Sequence, residues 1–292
     1  MTPTRPVLRW HGGKWRLAPW ILAHLPRHRR YTESYGGAGS VLIRKPRVYS
    51  EVYNDLDDGV VGLFRILRDP PGAAELTHRL ALTPFARREF EESYEVSADP
   101  IEEARRLIVR SFMGFGSNGH NREVTTGFRA QSRQSASCPS RDWANYPTHL
   151  QRIVERVRDV AIENRPAVDV LLAHDGTDCL HYVDPPYLPE TRSLKSRRTG
   201  GRYHAYAHEL TTADHVDLLG VLRGLRGMVV LSGYPAPLYD DALPGWPRFD
   251  TVALADGARE RTESLWLNPA AADALAREGR APRQGCLLSA AE

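Results

Sequence analysis

The chain is poor in cysteine and has no long apolar run, and each shortage excludes a class of protein. Its three cysteines among 292 residues, Cys138, Cys179 and Cys286, are too few and too scattered for a disulfide framework or a zinc ribbon. No uncharged run approaches the ~20 residues that cross a bilayer, and the start, MTPTRPVLRWHGGK, lacks the apolar stretch of a secretory signal. We therefore expect a cytoplasmic protein with reduced thiols and no membrane partner.

A metal-binding pattern is missing as well. His204 and His208 stand four residues apart, which on a helix would supply two ligands. A catalytic zinc site needs a third protein ligand, and no matching residue accompanies this pair. We therefore predict no bound metal.

The net charge is only +3, but the cations are unevenly placed. Residues 191–207 carry five cations and no acid, and residues 122–141 carry four arginines against one glutamate. The cations of these two stretches are Arg192, Lys195, Arg197, Arg198 and Arg202, then Arg122, Arg129, Arg133 and Arg141. Such loops can follow a phosphate backbone, or they can be solvated without a partner. Composition leaves both interpretations open.

Segments typical of strands and helices alternate at both ends of the chain. The pattern predicts a helix over 14–25, strands over 31–35 and 47–55, and a helix that Asp57 caps and that runs to Leu67. After Pro166, the strand-like segments are VDVLLA, CLHYVD, GMVVLSGY, RFDTVALA and TESLWLN, and TTADHVDLLGVLRGL is typical of a capped helix. This alternation predicts an α/β protein with a mainly parallel sheet, whose ligands lie at the carboxyl ends of the strands.

The middle of the chain is expected to be helical, with one long loop. Thr83 followed by Pro84 is typical of an N-cap with proline in the first helical position, and Asp99–Pro100 repeats that pattern. A polar loop over 113–141 precedes a predicted helix over 142–157. The tail beyond Asn268 is expected to be partly disordered.

A glycine-rich turn and a following acid suggest a site for an adenosine-bearing cofactor. In YTESYGGAGS, Gly36, Gly37 and Gly39 come directly after a predicted strand, where glycine permits positive φ and a close backbone approach. Asp55 ends the next strand, 19 residues after Gly36, which is the spacing of a carboxylate that binds ribose hydroxyls. The GxGxxG pattern is absent, which favours a sulfonium or other non-phosphate cofactor over NAD. The same turn also fits a tight connection without a ligand.

The stretch VDPPY places an acid, two prolines and an aromatic ring after a predicted strand. The prolines fix φ at about −65°, so the Asp184 carboxylate and the Pro185 carbonyl form a rigid pair of acceptors for the two hydrogens of an exocyclic amine. Tyr187 can stack on the ring that bears this amine. Hydrogen bonds from both N–H groups direct the nitrogen lone pair toward an incoming methyl group, so direct transfer from a sulfonium needs no covalent intermediate. A ring-carbon methylase would need an activated cysteine, and no cysteine here lies in a Pro-Cys motif.

RWHGGKW, ESYGGAGSV, YNDLD and VDPPY, in that order, resemble the DNA adenine-N6 methyltransferases of the Dam type. TTADHVDLL and RTESLWLN are similar to further family segments, so the resemblance covers about residues 7–268. It implies a Rossmann-like S-adenosylmethionine-dependent methyltransferase sheet with an inserted, mainly helical target-recognition lobe. The implied division is a discontinuous catalytic domain (1–56 and 166–268), a target-recognition insert (57–165) and a polar C-terminal tail (269–292).

The resemblance also assigns roles to single residues. Taken alone, Trp10 fits packing on the sheet and Lys14 fits a solvated helix face, whereas family members use these positions to contact S-adenosylmethionine. The implied cofactor-binding residues are Trp10, Lys14, Glu33, Tyr35, Gly36, Gly37, Gly39, Asp55 and Asp184. The implied catalytic residues are Asp184, Pro185, Pro186 and Tyr187. Ser34–Tyr35 departs from the Pro-Phe that is common in the family, which leaves the details of cofactor binding open.

The expected partner is double-stranded DNA, with an adenine flipped into the site. Candidate contacts in the insert are Asn118, Arg122, Arg129, Gln131 and Arg133. Lys195, Arg197 and Arg198 lie in the basic loop after the Asp-Pro-Pro-Tyr tetrad (residues 184–187) and would close over the flipped nucleotide. The recognition sequence, a companion restriction nuclease and the oligomeric state stay open, with a monomer among the possibilities.

Three alternatives to adenine methylation remain. The N4 amine of cytosine presents the same two hydrogens to Asp184 and Pro185. A relative that binds DNA without turnover would keep the fold, although the intact tetrad argues against it. A nicotinamide oxidoreductase is disfavoured because the phosphate-binding pattern is missing.

Overall fold

The structure is a computed structural model that describes residues 2–117, 122, 126–130, 138–191, 208–255 and 259–280. The chain divides into two compact units. The first, called here the helical unit, comprises Met1–Trp15, Gly37–Lys45 and Asp57–Asn164. The second, called here the sheet unit, comprises Arg16–Gly36, Pro46–Leu56 and Arg165–Glu292. The chain therefore changes units inside the glycine-rich turn, between Gly36 and Gly37.

The strands are short. Those described are β1 (Arg30–Glu33), β2 (Ser50–Asn54), β3 (Ala161–Glu163), β4 (Cys179–Val183), β5 (Met228–Gly233), β6 (Arg248–Ala255) and β7 (Arg259–Leu267). By residue range, β3 falls in the helical unit and the others fall in the sheet unit.

The helices fill most of the helical unit and flank the strands of the sheet unit. The described helices are α1 (Ala18–Ala23), α2 (Ser40–Arg44), α3 (Asp58–Arg68), α4 (Pro70–Leu82), α5 (Arg87–Glu92), α6 (Pro100–Met113), α7 (Pro139–Ala144), α8 (Tyr146–Val157), α9 (Ala167–His174), α10 (Thr212–Gly224), α11 (Pro237–Ala242) and α12 (Pro269–Arg277). Helices α2 to α8 belong to the helical unit. None of the helices in the described ranges has the length and apolar character that crossing a membrane requires.

The strands of the sheet unit lie in the order β2-β1-β4-β5-β7-β6. Strand β1 runs parallel to β2 and β4, and β4 runs parallel to β5, whereas β7 is antiparallel to β5 and β6. The predicted α/β class with a mainly parallel sheet is confirmed. Because β2, β1, β4 and β5 share one direction, their carboxyl ends lie along one edge, called here the carboxyl edge.

Apolar burial explains the central position of β4 and β5. Both strands are buried at every residue, as expected for parallel strands with helices on both faces. Helix α10 contributes Leu218, Leu219 and Leu222 to the apolar cluster that contains Val183 of β4 and Leu231 of β5. This cluster holds β4 in place, and with it the start of the segment that follows the strand.

Two predicted N-caps of the helical unit are confirmed. The carboxylate of Asp57 accepts from the backbone N–H groups of Gly59 and Val60 at 2.8 and 3.3 Å. The carboxylate of Asp99 accepts from the N–H of Ile101 at 2.9 Å. Each cap satisfies donors that the first helical turn leaves without a backbone acceptor. The predicted cap of α10 is also present, as a capping box.

The predicted N-cap at Thr83 is wrong. Thr83 ends α4, and its hydroxyl donates to the carbonyl of Arg79, four residues earlier, at 2.8 Å. Its own carbonyl accepts from the indole N–H of Trp143 at 2.7 Å. Because the hydroxyl is used by the preceding helix, Thr83–Pro84 terminates α4 and the next helix begins only at Arg87.

Other segments also differ from the prediction. VDVLLA lies in helix α9, with Val170 and Leu171 buried, because a short apolar run fits a helix as well as a strand. The predicted helix over 142–157 is two helices that meet at Asn145, and the N-terminal helix is shorter than predicted. The tail beyond Asn268 begins with the ordered helix α12, which the Asn268 side chain caps at the N–H of Ala271. Residues 281–292 lie outside the described residues.

Candidate active site

Candidate residues follow each of the parallel strands at the carboxyl edge. Glu33 ends β1, Asp55 follows β2, Asp184 follows β4 and Tyr234 follows β5. The register pairs Glu33 with Tyr182, two residues before Asp184. Three carboxylates and an aromatic ring are therefore aligned along one edge of the sheet, where α/β folds bind ligands.

Asn54 fixes the first half of the glycine-rich turn. Its amide nitrogen donates to the carbonyls of Ser34 and Arg165 at 2.9 and 3.0 Å, and its amide oxygen accepts from the N–H of Arg165 at 2.9 Å. Its backbone carbonyl accepts from the N–H of Gly36 at 2.8 Å. None of the sequence motifs above singles out this residue, although an asparagine that ends a strand beside an acid can bond backbone groups both as donor and as acceptor. The turn therefore leaves β1 in a defined direction.

A neighbouring aromatic ring leaves no room for a side chain at Gly36. A Cβ at this position would lie 2.2 Å from a ring carbon of Tyr53 on β2, which is inside van der Waals contact. Tyr35 packs its ring against the apolar cluster around β4 and β5. Burial raises the pKa of the Tyr35 hydroxyl, and the charges of Asp214 and Asp55 add to the rise. The hydroxyl therefore stays protonated at physiological pH and can donate a hydrogen bond.

Glu33 is buried at the end of β1, with 2% of its surface exposed. It accepts the hydrogen bond of the Tyr31 hydroxyl at 2.7 Å. Burial, followed by the charge of Glu33, raises the pKa of Tyr31. The tyrosine is therefore a neutral donor that orients the carboxylate.

Four candidate cofactor residues lie in the helical unit. Gly37 and Gly39 have φ of 48° and 61°, a region that favours glycine. A Cβ on Gly37 would lie 2.7 Å from the indole nitrogen of Trp10, so the ring closes directly on this backbone. Lys14 is buried, and its ammonium group donates to the carbonyl of Gly12 at 2.9 Å. Neither Trp10 nor Lys14 therefore lies on an open, solvated face.

The tetrad begins where β4 ends. Asp184 is half-buried, and its Oδ1 atom is shielded from solvent. Pro185 is buried and Pro186 is half-buried. Tyr187 is 4% exposed, and its hydroxyl donates to Oε2 of Glu263 at 2.7 Å. Glu263 lies in the strand-like segment TESLWLN, and its contact with the tetrad is not visible in any local pattern.

The structure describes only part of the expected DNA-binding set. The guanidinium of Arg122 forms an ion pair with Glu103. Arg129 donates its backbone N–H to the carbonyl of Met113 at 2.7 Å, beside a bridge between Gly114 and Phe128. Asn118, Gln131, Arg133, Lys195, Arg197 and Arg198 lie outside the described residues.

A metal-binding group is not found among the residues that the structure describes, where no three His, Cys, Asp or Glu side chains cluster suitably. Of the two histidines noted in the sequence, His204 lies outside those residues and His208 lies within them.

Comparisons with known proteins match this chain to one group of enzymes. The family model described as D12 class N6 adenine-specific DNA methyltransferase matches residues 10–232. The chain is 23% identical over 223 residues to the DNA adenine methylase of Escherichia coli (strain K12), covering 74% of this chain and 75% of that protein. It is 22% identical over 237 residues to the DNA adenine methylase of Vibrio cholerae serotype O1 (strain ATCC 39315), covering 78% and 82%. The DNA adenine methylase of Salmonella typhi is 23% identical over 223 residues, covering 74% and 75%.

Proposed function

The chain belongs to the D12 class of N6 adenine-specific DNA methyltransferases, and from this premise we propose the reaction, the cofactor and the residues involved. It transfers a methyl group from S-adenosylmethionine to the N6 amine of an adenine flipped out of double-stranded DNA, by direct in-line transfer. The observation that carries this proposal is the Asp-Pro-Pro-Tyr tetrad, which begins at the carboxyl end of the central strand β4.

The donor set of the carboxyl edge fits S-adenosylmethionine. This cofactor supplies an electrophilic methyl group on a positively charged sulfur. Glu33, Asp55 and Asp184 place three carboxyl groups along the edge, which favours a cationic ligand and disfavours a pyrophosphate. Asp55 accepts the ribose hydroxyls, as the spacing from the glycine turn predicts. Tyr35 contributes the aromatic wall in place of phenylalanine.

We assign further cofactor contacts to Trp10, Lys14, Gly37 and Gly39 of the helical unit, following the family resemblance. Their support is local. The indole of Trp10 is packed against the Gly37 backbone, and the buried ammonium group of Lys14 is held by Gly12. Both arrangements restrict side chains that would otherwise be mobile, which reduces the entropy that binding a ligand must overcome.

The chemical step depends on two acceptors. The Asp184 carboxylate and the Pro185 carbonyl accept hydrogen bonds from the two N–H groups of the adenine amine. These hydrogen bonds direct the nitrogen lone pair toward the methyl group. After transfer the nitrogen carries an extra proton, which the adjacent Asp184 carboxylate can accept. Positioning and electrostatics provide the rate enhancement, and no covalent enzyme intermediate forms.

Tyr187 supports the adenine ring by stacking. Since only 4% of its surface is exposed, the base takes the place of atoms that now cover the ring. Flipping the base out of the duplex requires a few kcal/mol, and stacking together with backbone contacts recovers this free energy.

Residues 57–165 are the proposed DNA-reading part, and the basic residues after the tetrad complete the contacts. Arg122 and Arg129 contact bases or phosphates, together with Asn118, Gln131 and Arg133. Lys195, Arg197 and Arg198 contact the flipped nucleotide. A DNA substrate also implies a cytoplasmic location.

The test is to identify the modified base. DNA from a methylation-deficient host that expresses the protein is digested to nucleosides and examined by mass spectrometry. We expect N6-methyladenine, and N4-methylcytosine as the sole product would contradict the proposal. Calorimetry of the purified protein should show binding of S-adenosylmethionine and none of NAD.

A further inference from the structure

The hydroxyl of Tyr187 is held by an acid that is distant in sequence. Glu263 on β7 accepts this hydrogen bond at 2.7 Å, across 76 residues. Both side chains are buried, with 8% of Glu263 and 4% of Tyr187 exposed. The family match ends at residue 232, so the contact joins the tetrad to a strand outside the matched region.

A carboxylate is a demanding choice of acceptor at a buried position. Removing a charged group from water carries a larger penalty than burying a neutral amide, and a glutamine could accept the same hydrogen bond. A charged acceptor, however, forms a shorter and stronger hydrogen bond than a neutral one. A carboxylate at position 263 can therefore hold the Tyr187 hydroxyl more firmly than an amide could.

Two further side chains restrict the same region. The ring of Tyr234 lies 4.3 Å from that of Tyr187, between centroids, at an interplanar angle of 55°. The Arg261 guanidinium lies 5.6 Å from the centroid of the Tyr234 ring and donates to the carbonyl of Thr191 at 3.4 Å. Because Arg261 and Glu263 are two residues apart on β7, they project from the same face of the strand. One face of β7 thus contacts the surroundings of the tetrad at several points.

From these contacts we propose that Glu263 is a positioning residue for methyl transfer, which fixes the ring plane of Tyr187 through its hydroxyl. The inference rests on the proposed function, in which that ring supports the target adenine. Tyr187 follows Asp184 by three residues, across two prolines that stiffen the backbone. A ring held in one orientation therefore keeps the base edge in register with the Asp184 carboxylate. A misplacement of about 1 Å can lower a rate about a hundredfold.

The test is a double-mutant cycle in the full-length protein. Transfer of tritiated methyl groups from S-adenosylmethionine to unmethylated plasmid DNA gives kcat and KM for each variant. We expect Glu263→Ala and Tyr187→Phe each to lower kcat about tenfold, with KM for S-adenosylmethionine changed less than about twofold. The double variant should fall no further, because both changes remove the same hydrogen bond.

Two controls separate positioning from folding. Glu263→Gln keeps an acceptor and should retain kcat within about threefold of the unmodified enzyme. Glu260→Ala, which removes an exposed acid from the same strand, should leave kcat unchanged. Thermal unfolding of every variant shows whether it folds, and Tyr187→Phe, which loses one oxygen, still tests the proposal where Glu263→Ala does not fold.

Two results would overturn the positioning role: rate losses that multiply in the double variant, or an unchanged kcat in Tyr187→Phe. An unmodified enzyme that transfers no methyl group to adenine would instead contradict the proposed function. The two failures are therefore distinguishable.

Discussion

The helical unit and the carboxyl edge of the sheet unit bind their carboxylates to different partners. In the helical unit, arginines take this role: Arg105 pairs with Glu89 and Glu102, and Arg79 pairs with Asp99. At the carboxyl edge, tyrosine hydroxyls hold acids, as Tyr31 holds Glu33 and Tyr187 holds Glu263.

This difference has a chemical consequence. An ion pair offsets the charge of a carboxylate, whereas a hydrogen bond from a neutral hydroxyl orients the carboxylate without adding a positive charge. In the helical unit, arginines that pair with internal acids use part of their charge and of their donors within the protein. Variants in the two regions should therefore affect different measurements.

The largest effect is expected at the tetrad. Asp184→Ala should lower kcat about a thousandfold or more, because it removes one of the two acceptors that orient the adenine amine. DNA binding, measured by fluorescence anisotropy, should be largely retained. The matched control is Asp178→Ala, at the opposite end of β4, which removes an exposed ion pair with Arg30. An equal loss of kcat in both variants would contradict a specific role of Asp184, because removing an acid from either end of β4 would then have the same effect.

Asp55 should affect cofactor binding and not the chemical step. Asp55→Ala is expected to raise KM for S-adenosylmethionine about thirtyfold, since hydrogen bonds to a charged group contribute about 1.5–3 kcal/mol. KM for DNA should stay within about twofold. Asp58→Ala, an exposed acid three residues away, is the control. A change in kcat alone would contradict a role in holding the ribose.

Local patterns predicted much of the structure, and their failures have physical reasons. The caps at Asp57 and Asp99, the strand before Asp184 and the helix after Thr211 depend on residues within one or two turns, so the sequence shows them directly. The strand prediction for VDVLLA was wrong because a short apolar run fits a helix or a strand equally well. The N-cap prediction for Thr83 was wrong because its hydroxyl donates to the Arg79 carbonyl of the preceding helix and does not cap a following one.

The site residues that the sequence did not predict share one feature, which is contact with residues far away along the chain. Asn54 contacts Arg165 across 111 residues, and Glu263 contacts Tyr187 across 76. Contacts over such separations exist only after the sheet is assembled, so no local spacing reveals them. The sequence therefore predicts the residues that the chemistry requires in a row, such as the tetrad, better than those that orient them.

In the helical unit, two arginines should separate DNA binding from stability. Arg122→Ala is expected to raise KM for DNA about fivefold to tenfold and to lower the salt dependence of binding by about one ion. Arg105→Ala removes pairs with Glu89 and Glu102 from a side chain that is 14% exposed. It should reduce the free energy of unfolding by about 1–3 kcal/mol and leave the salt dependence unchanged. The reverse pattern would mean that Arg122 serves only the fold, through Glu103.

The smallest effect is expected from acid. His181 on β4 is buried and bonds to Thr32 at 2.6 Å, and burial lowers its pKa to about 4, against the opposing charge of Asp175. Between pH 6.5 and 4, His181 is protonated in the unfolded chain but stays neutral in the folded sheet unit. The free energy of unfolding of the sheet unit therefore decreases as the pH falls. In the helical unit, arginines lower the pKa of Asp99 and of Glu102. Their contribution is fully present above the unfolded pKa of about 4 and is lost only below it.

Amide hydrogen exchange at pH 7 and pH 5, corrected for intrinsic rates, checks this difference between the units. Protection over β4 should fall by on the order of 1 kcal/mol, and protection over α6 should change less. In His181→Asn, the fall over β4 should be smaller, because no imidazole remains to be protonated on unfolding. Equal losses over β4 in both proteins would show that the acid sensitivity of the sheet unit originates in other groups.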